Sequence, residues 1–385
     1  MSRRIRSEKT LVVVLTWRVG LSEWERARIL ERELKLFDSY CQKNIKVVLI
    51  TSSANDFANK EYWKEKLGDL SIVFVKPGFL SGIFSIKLNK TIREIALKSK
   101  RNPGSVSFKT NQLLGLHFLA FIPKSPLSKV TCRLGFSPLD QELEMKKLSL
   151  RIFKLQVYER IWMRYASQWE FSSSQIRDQI CERQRVIRPT TVIGNFVDVD
   201  IWKHREKAVS ASRNVIGFYG RFTKQKNLEN LIKAIKDIES LRLELIGDGE
   251  QMTELVSLVQ QLNLQHRVYF YPRSSQLEIV NLSKDWFCAI LPSVVEGNPK
   301  MVLEMFARGV PVVGSDVNGI KQVIRHRRNG FLMTSGSVEE IERTLIELTQ
   351  LADSDLENIC SRARNWVVKH HELKTIVRKQ IKFYF

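Results

Sequence analysis

Two stretches in the second half of this 385-residue chain hold charged residues in settings that suit chemistry. The first is VIGFYGRFTKQKNLENLI, residues 215–232. An apolar run ends at Tyr219 and Gly220, Arg221 follows at once, then Lys226, and a helical pattern begins near Asn227. Two cations then stand at the carboxyl edge of a strand, beside a helix N-terminus. Phosphate is stabilised in such a place by unpaired N–H groups, by the helix dipole and by the added positive charge. Gly220 lets a ligand approach the backbone. Taken alone, an ordinary solvated loop in a basic chain would look the same.

The second stretch is LPSVVEGNPKMVLEMFARGVPVVGSD, residues 291–316. Glu296 and Glu304 are separated by seven residues, a spacing that chance supplies often. Its context is more specific. A strand ends at Ser293, a loop carries Glu296, and Pro299 suits the first turn of a helix that carries Glu304. The N–H groups around Asn298, Pro299, Lys300 and Met301 form an anion site of the helix-terminus kind. Two carboxylates at one loop and helix can accept charge-assisted hydrogen bonds from sugar hydroxyls.

These groups need a scaffold, and the pattern around them supplies one. Apolar runs at Val215–Gly220, Leu241–Gly247, Val268–Tyr271, Trp286–Pro292 and Val310–Ser315 alternate with helical patterns. Near-continuous apolar strands spaced by helices indicate a parallel sheet covered on both faces, and right-handed crossovers make it a doubly wound, Rossmann-like α/β domain. The first half repeats the theme with runs at Leu11–Thr16, Ile45–Thr51, Ile72–Val75, Val106–Lys109 and Val130–Cys132, and with long helical patterns at Ser22–Gln42 and Glu142–Arg164. The length also favours two domains. The expected organisation is an N-terminal domain over 1–204, a C-terminal domain over 205–360, and a closing helix over 361–385. Ligands of open parallel sheets bind beyond the strands' carboxyl ends, so two such domains face a cleft.

Composition narrows the class. Hydrophobic residues make up 43% and charged residues 27%, enough to build cores without disulfides. Five cysteines are scattered, with no paired spacing, which argues against a disulfide scaffold or zinc site and for a reducing compartment. The longest apolar stretch, Leu113–Ile122, is too short to span a bilayer. Leu11–Leu15 is too short, and lacks a cleavage site, for a signal peptide. The expected place is therefore the cytoplasm. The net charge of +21 favours an anionic partner: nucleic acid, a membrane surface or a phosphate-bearing substrate. Basic clusters at Arg3–Arg6, Lys98–Arg101, Arg325–Arg328 and Arg378–Lys382 add a variant bound peripherally to the inner face of the cytoplasmic membrane.

The Gly-Arg-Phe–Lys unit, Ile246–Gly249, the paired glutamates and Gly-Val-Pro-Val-Val occur in order over Val215–Leu332, and together they resemble the family-4 retaining glycosyltransferases of the GT-B fold. The resemblance implies a hexosyltransferase that moves sugar from a nucleotide-sugar to a glycan or lipid-linked acceptor, in cell-envelope polysaccharide or lipopolysaccharide synthesis. Arg221 and Lys226 would bind the donor diphosphate and Glu304 its ribose. Glu296 would contact the transferred sugar. Tyr271–Ser274, including Arg273, and Leu277 would face the base. The N-terminal domain would bind acceptor, with the loop around Gly20 near the donor phosphates. The resemblance implies no metal and no cofactor beyond the donor.

That resemblance is thinner in the first half. The family often has paired glycines where this chain has Gly20 alone, and often a histidine where this chain has Asn111. His117, on an apolar helix, reads as a core or lining residue. Asp198-Val199-Asp200 spells a metal motif of a different glycosyltransferase fold but falls at the hinge, without further oxygen ligands. His370 and His371 are adjacent and point to different helix faces. A catalytically silent GT-B scaffold or glycan binder is the alternative. An epimerase or phosphorylase would share the fold. A nucleic-acid-binding role has charge in its favour and no recognisable motif.

Overall fold

The computed structural model describes residues 9–68, 70–76, 94, 95, 97, 102, 104–113, 115–119, 129–135, 139, 150–185, 188–205 and 213–385. The basic clusters Arg3–Arg6 and Lys98–Arg101, residues 206–212 and the first part of the Glu142–Arg164 pattern lie outside them, as does the side chain of His117.

The chain divides into two units, Met1–Gly194 with Val377–Phe385, and Asn195–Ile376. The first is built on β1 (Lys9–Val14), β2 (Ile45–Thr51), β3 (Ser71–Phe74), β4 (Val106–Thr110), β5 (Lys129–Leu134), β6 (Gln168–Phe171) and β7 (Thr190–Val192). They form a parallel sheet in the order β3-β2-β1-β4-β5-β6-β7. The second contains β8 (Val215–Arg221), β9 (Arg242–Asp248), β10 (Val268–Tyr271), β11 (Cys288–Leu291), β12 (Val312–Ser315) and β13 (Phe331–Met333). These too are parallel, in the order β10-β9-β8-β11-β12-β13. Each sheet therefore reverses its strand order once, beside β1 and beside β8. The carboxyl ends at such a reversal are where ligands of doubly wound sheets bind.

β8 and β11 lie at the second reversal, and local sequence fixes how they meet. Trp286 is fully buried, and its indole fills the space a Cβ on Gly217 would need, 2.0 Å from the ring. The indole N–H donates to Glu244 at 2.7 Å, so the ring's polar edge is satisfied. At the tips of β8 and β9, Gly247 takes φ +149°, and a Cβ there would stand 1.9 Å from the Gly220 carbonyl. Glycine at both tips lets the two turns close on each other.

The helix expected over Ser22–Gln42 is two, Leu21–Arg26 and Leu30–Cys41, broken where Arg28 adopts φ +55°. The C-terminal pattern also breaks. Asp353–His371 stays in the second unit and packs on the helix Lys300–Arg308, burying Leu356, Ile359, Ala363 and Val367 in that unit's core. The chain turns extended at Glu372 and re-enters a helix over Leu373–Tyr384. Only Val377–Phe385 belongs to the first unit, where the sequence reading sends all of 361–385. The division before the second unit falls at Gly194–Asn195 instead of 204/205. Asn195 is tied to its own unit through Asn298 and His371. No described helix is long and apolar enough to cross a membrane.

Candidate functional site

β8 ends in Gly220 and an exposed Arg221. A 3-10 turn, Lys224–Lys226, leads into the helix Leu228–Lys236, whose apolar face is buried. That turn is held against the loop after β11: Val294 N–H donates to the Gln225 carbonyl at 2.9 Å, and Gln225 Nε2 to the Val295 carbonyl at 2.6 Å. The two stretches singled out in the sequence thus meet at the strand tips. Lys226 Nζ pairs directly with the Glu296 carboxylate, with side-chain exposures of only 19% and 11%. Ser293 Oγ donates to Glu296 at 3.0 Å. A pair this sheltered from water keeps most of its Coulomb strength.

Glu296 is placed from below as well. A Cβ on Gly319 would stand 2.1 Å from the Glu296 carbonyl, so the start of the helix Asn318–Lys321 supports the loop only because residue 319 lacks a side chain.

Pro299 is the N-cap of the helix Lys300–Arg308, with φ −75° and ψ 101°, one position ahead of the first helical turn where the sequence reading puts it. The first N–H groups of any helix lack partners within it, and here they belong to Lys300, which is exposed, and Met301, which is buried. Asn298 is fixed by Asn195, whose side-chain amide donates to the Asn298 carbonyl at 3.0 Å and whose backbone N–H reaches Asn298 Oδ1 at 3.4 Å. His371 Nδ1 lies 2.8 Å from the Asn195 carbonyl. Every residue from Met301 to Arg308 is buried, because this helix is covered by its own sheet and by Asp353–His371.

Glu304 is the acid in that buried helix, 5% exposed. The Tyr219 hydroxyl donates to one of its oxygens and Gln276 Nε2 to the other at 3.1 Å. A carboxylate held this way is oriented and satisfied, as a buried charge must be. Gln276 opens the helix Gln276–Leu282, started by a capping box in which Ser275 accepts from Glu278 N–H and Glu278 accepts from Ser275 N–H. Leu277 stands out from that helix, 58% exposed. Arg273, in the preceding loop, pairs with Asp248 at the tip of β9. Arg221, Lys226, Glu296, Glu304, Arg273 and the start of Lys300–Arg308 therefore all belong to one edge of one sheet.

Gly20 belongs to the first unit. It is the buried N-cap of the helix Leu21–Arg26, and its N–H donates to Glu23 at 2.7 Å. The next two N–H groups, of Leu21 and Ser22, donate to the fully buried Asp56 carboxylate at 2.8 Å each. A Cβ on Gly20 would stand 2.0 Å from Asp56 Oδ2. An internal carboxylate thus takes the place an external anion would need. The Asp-Val-Asp motif is a turn, with Asp200 N–H donating to Asp198 Oδ1 at 3.0 Å. Among the described residues no group of three or more His, Cys, Asp or Glu side chains is arranged to hold a metal ion.

Sequence reasoning missed Tyr219, Gln276, Ser293, Asn195 and Gly319. The Ser275–Glu278 capping box was a legible signal for where Gln276 falls. The others depend on which strand tips become neighbours.

Residues 200–366 match the family model described as glycosyl transferases group 1. The second unit is a group 1 glycosyl transferase domain. The N-acetyl-alpha-D-glucosaminyl L-malate synthase of Bacillus anthracis is 27% identical to the chain over 220 residues, covering 54% of this chain and 57% of that protein. The UDP-Gal:alpha-D-GlcNAc-diphosphoundecaprenol alpha-1,3-galactosyltransferase of Escherichia coli is 28% identical over 209 residues, covering 49% and 53%. The chain thus spans little more than half the length of these curated relatives. The crystal structure of Anabaena HepE in complex with UDP matches at a TM-score of 0.73 and 19% identity, over 97% of this chain and 99% of that one. The fold is accordingly that of the GT-B glycosyltransferases, two Rossmann-like units with parallel sheets. Within the group 1 domain, the paired cation and carboxylate and the buried Glu304 lie on the switch-point edge.

Proposed function

We propose that this chain is a retaining glycosyltransferase that moves a hexosyl group from a nucleotide-sugar to a glycan or lipid-linked acceptor in cell-envelope polysaccharide or lipopolysaccharide synthesis. The observation that carries the reading is the edge where Lys226 and Glu296 hold each other, with Ser293 on Glu296, and where Tyr219 of β8 and Gln276 hold Glu304. The relatives support the substrate classes: one is named for a lipid diphosphate-linked acceptor, and HepE is named as a complex with UDP.

In this reading the donor diphosphate lies along Arg221, Lys226 and the first N–H groups of Lys300–Arg308. Ribose hydroxyls donate to Glu304, whose oxygens Tyr219 and Gln276 already aim. Glu296 accepts from hydroxyls of the transferred sugar while balancing Lys226. Arg273 and Leu277 flank the base, and Asn298 and Pro299 set the turn under the sugar. As the anomeric C–O bond breaks, negative charge grows on the leaving phosphate. Fixed cations placed there in advance stabilise that charge more in the transition state than in the ground state. The reading assigns this charge to Arg221 and Lys226, without metal or further cofactor. Activity in EDTA equal to that with magnesium is the expected result.

The direct test is thermal unfolding with UDP, GDP, ADP and CMP, for wild type and Glu304→Ala. A nucleotide at about a hundred times its dissociation constant stabilises by about 2.7 kcal/mol. One nucleotide should raise the melting temperature of wild type and not of the variant. If none does at low or high salt, the donor site is not there and a silent scaffold replaces this reading. The anomeric configuration of the product, read by NMR, decides retention.

A further inference from the structure

The last turn of the helix Lys300–Arg308 gathers cations that the switch-point edge does not use. It lies at the other edge of the sheet, where Trp286 leads into β11 and Gly309 into β12. Its closing carbonyls all have donors. Gly309 takes φ +77° and its N–H donates to the Phe306 carbonyl at 3.1 Å, while Val310 N–H donates to Met305 at 3.0 Å. Arg364 Nη1 donates to the Ala307 carbonyl, and Arg205 N–H to the Arg308 carbonyl at 3.0 Å. Capping of this helix therefore makes no use of the Arg308 side chain.

That side chain is nevertheless enclosed. Arg308 is 7% exposed, and its Nε is buried with no hydrogen-bond partner. Arg205 stands beside it, with Nη1 donating to the Trp286 carbonyl at 2.6 Å. His204 lies over Gly309, where a Cβ would come 2.7 Å from His204 Nε2. His204 is exposed and Arg364 half-buried, so the group opens to solvent on this side.

The electrostatics are one-sided. Burial holds Arg308 and Arg364 below the usual arginine range, and among the described residues no carboxylate pairs with either. Burial pulls Arg205 down to about 10, and Arg308 adds to the fall. His204 is lowered by burial and then by Arg364. The helix dipole supplies only about half a negative charge at this end, against three guanidiniums. Enclosed cations that repel one another cost stability unless an anion joins them.

We propose that Arg308, Arg364, Arg205 and His204 form a binding site for the phosphoryl group of a small solute, separate from the edge that carries Lys226 and Glu296. Guanidinium forks match the oxygens of a phosphoryl group in pairs, and the imidazole adds a further donor. The site stands whether or not the chain transfers sugar, because its ligand does not touch the donor edge.

The test is calorimetric titration of the full-length protein with pyrophosphate and with glucose 1-phosphate, at ionic strength fixed by sodium chloride. R221A/K226A is the background, which takes the donor edge out of the measurement. This protein should still bind one pyrophosphate. Adding R308M should weaken that binding at least about tenfold, through loss of a charged bidentate partner. Adding R308K instead should weaken it about threefold, since the charge stays and the fork goes. In chloride alone R308M should melt no lower than wild type, because it removes an unopposed enclosed charge. No pyrophosphate binding by R221A/K226A overturns the proposal. So does binding by the R308M or R308K protein equal to that background. A lower melting temperature of R308M overturns it too, by making Arg308 a structural fastening. The ligand with the smaller dissociation constant tells whether a free diphosphate or a phosphate ester is the fitting source.

Discussion

The two units use the same construction and differ in what they put inside it. In the second unit the sheet is sandwiched between apolar side chains such as Phe218, Leu231, Ile290, Val302 and Val313, and its working charges stand at the strand tips. In the first unit charge reaches the body of the sheet. Lys109 of β4 and Glu170 of β6 are 1% and 0% exposed, and Arg133 of β5 lies between them in strand order, 3.4 Å from Glu170. The C-terminal segment completes this cluster. Gln380 donates to Glu170 at 2.9 Å, the Tyr384 hydroxyl donates to its other oxygen, and the Tyr40 hydroxyl donates to Gln380. Lys109 Nζ sits 5.5 Å from the centre of the Tyr384 ring. In the proposed reading one unit holds its charge where a ligand would bind, while the other uses it to fasten the C-terminal segment. The desolvation of such buried charges offsets much of their attraction, so removing one partner costs more than the intact pair contributes.

The sharpest way to break this comparison is at the second unit's edge. Lys226→Ala should lower turnover by about two to three orders of magnitude, the size of effect seen when a fixed donor is removed from a developing anion. Its melting temperature without nucleotide should fall less than in the first-unit variants, because Glu296 keeps Ser293 and lies near solvent at the strand tips. A Lys226→Ala protein that kept its turnover would make the Lys226–Glu296 pair a structural fastening like those of the first unit. In the first unit the expectation is reversed. Removing residues 377–385 leaves Glu170 buried without two of its donors, which costs about 3–5 kcal/mol for a buried charge stripped of partners. Tyr384→Phe removes one hydroxyl and should cost about 1–3 kcal/mol. Both losses should appear in the first unit's unfolding transition, followed by hydrogen exchange on β4–β6, and leave β8–β13 protected.

The same contrast explains what could be read from the sequence. Val215–Gly220 and Trp286–Pro292 announce themselves because a strand buried on both faces is apolar throughout, and loops bearing Arg221 and Glu296 then fall at its carboxyl edge. Strands β6 and β7 escaped notice because Gln168, Glu170, Thr190 and Thr191 interrupt any apolar run. Glu170 makes sense only when Gln380 and Tyr384, more than two hundred positions later, are known to arrive. Glu304 could be picked out by its spacing from Glu296, but its orienting partners Tyr219 and Gln276 come from other strand ends. Gly20 stands out only through the family resemblance of its loop, and nothing local reveals that Asp56 fills the space beside it.

A substitution in the second unit's core tests whether its sheet is as unforgiving as its apolar packing implies. Gly217→Ala drives a methyl group into the Trp286 ring, which is fully buried and tied to Glu244. Overpacking of this kind costs about 1–3 kcal/mol. Urea unfolding should show a lower midpoint for the second unit, with the first unit unchanged. An unchanged midpoint would mean that the indole can shift, and that β8 and β11 are less rigidly joined than the site above them requires.

The smallest effect belongs to Lys109 and is visible mainly through pH. Burial lowers its pKa from 10.5 to about 8, with Glu170 opposing that shift. In the unfolded chain the same amine keeps its proton to a higher pH. Between about pH 8 and 10.5 the unfolded state therefore binds more protons than the folded one, and stability gains a positive slope with pH from this residue. Below that window both states are protonated, and the full penalty of burying the charge is present. Lys109→Met removes the slope. The difference in stability between wild type and variant should thus be constant near pH 7 and shift in favour of wild type as pH rises from 8 towards 10, by about 1–3 kcal/mol in all. Because Tyr40 and Tyr384 are held above the ordinary tyrosine range by burial, they stay protonated in the folded state through most of this window. A pH-independent difference would mean that Glu170 holds the Lys109 charge in place as firmly as water would, and that the charge inside the first unit is as well balanced as the charge at the edge of the second.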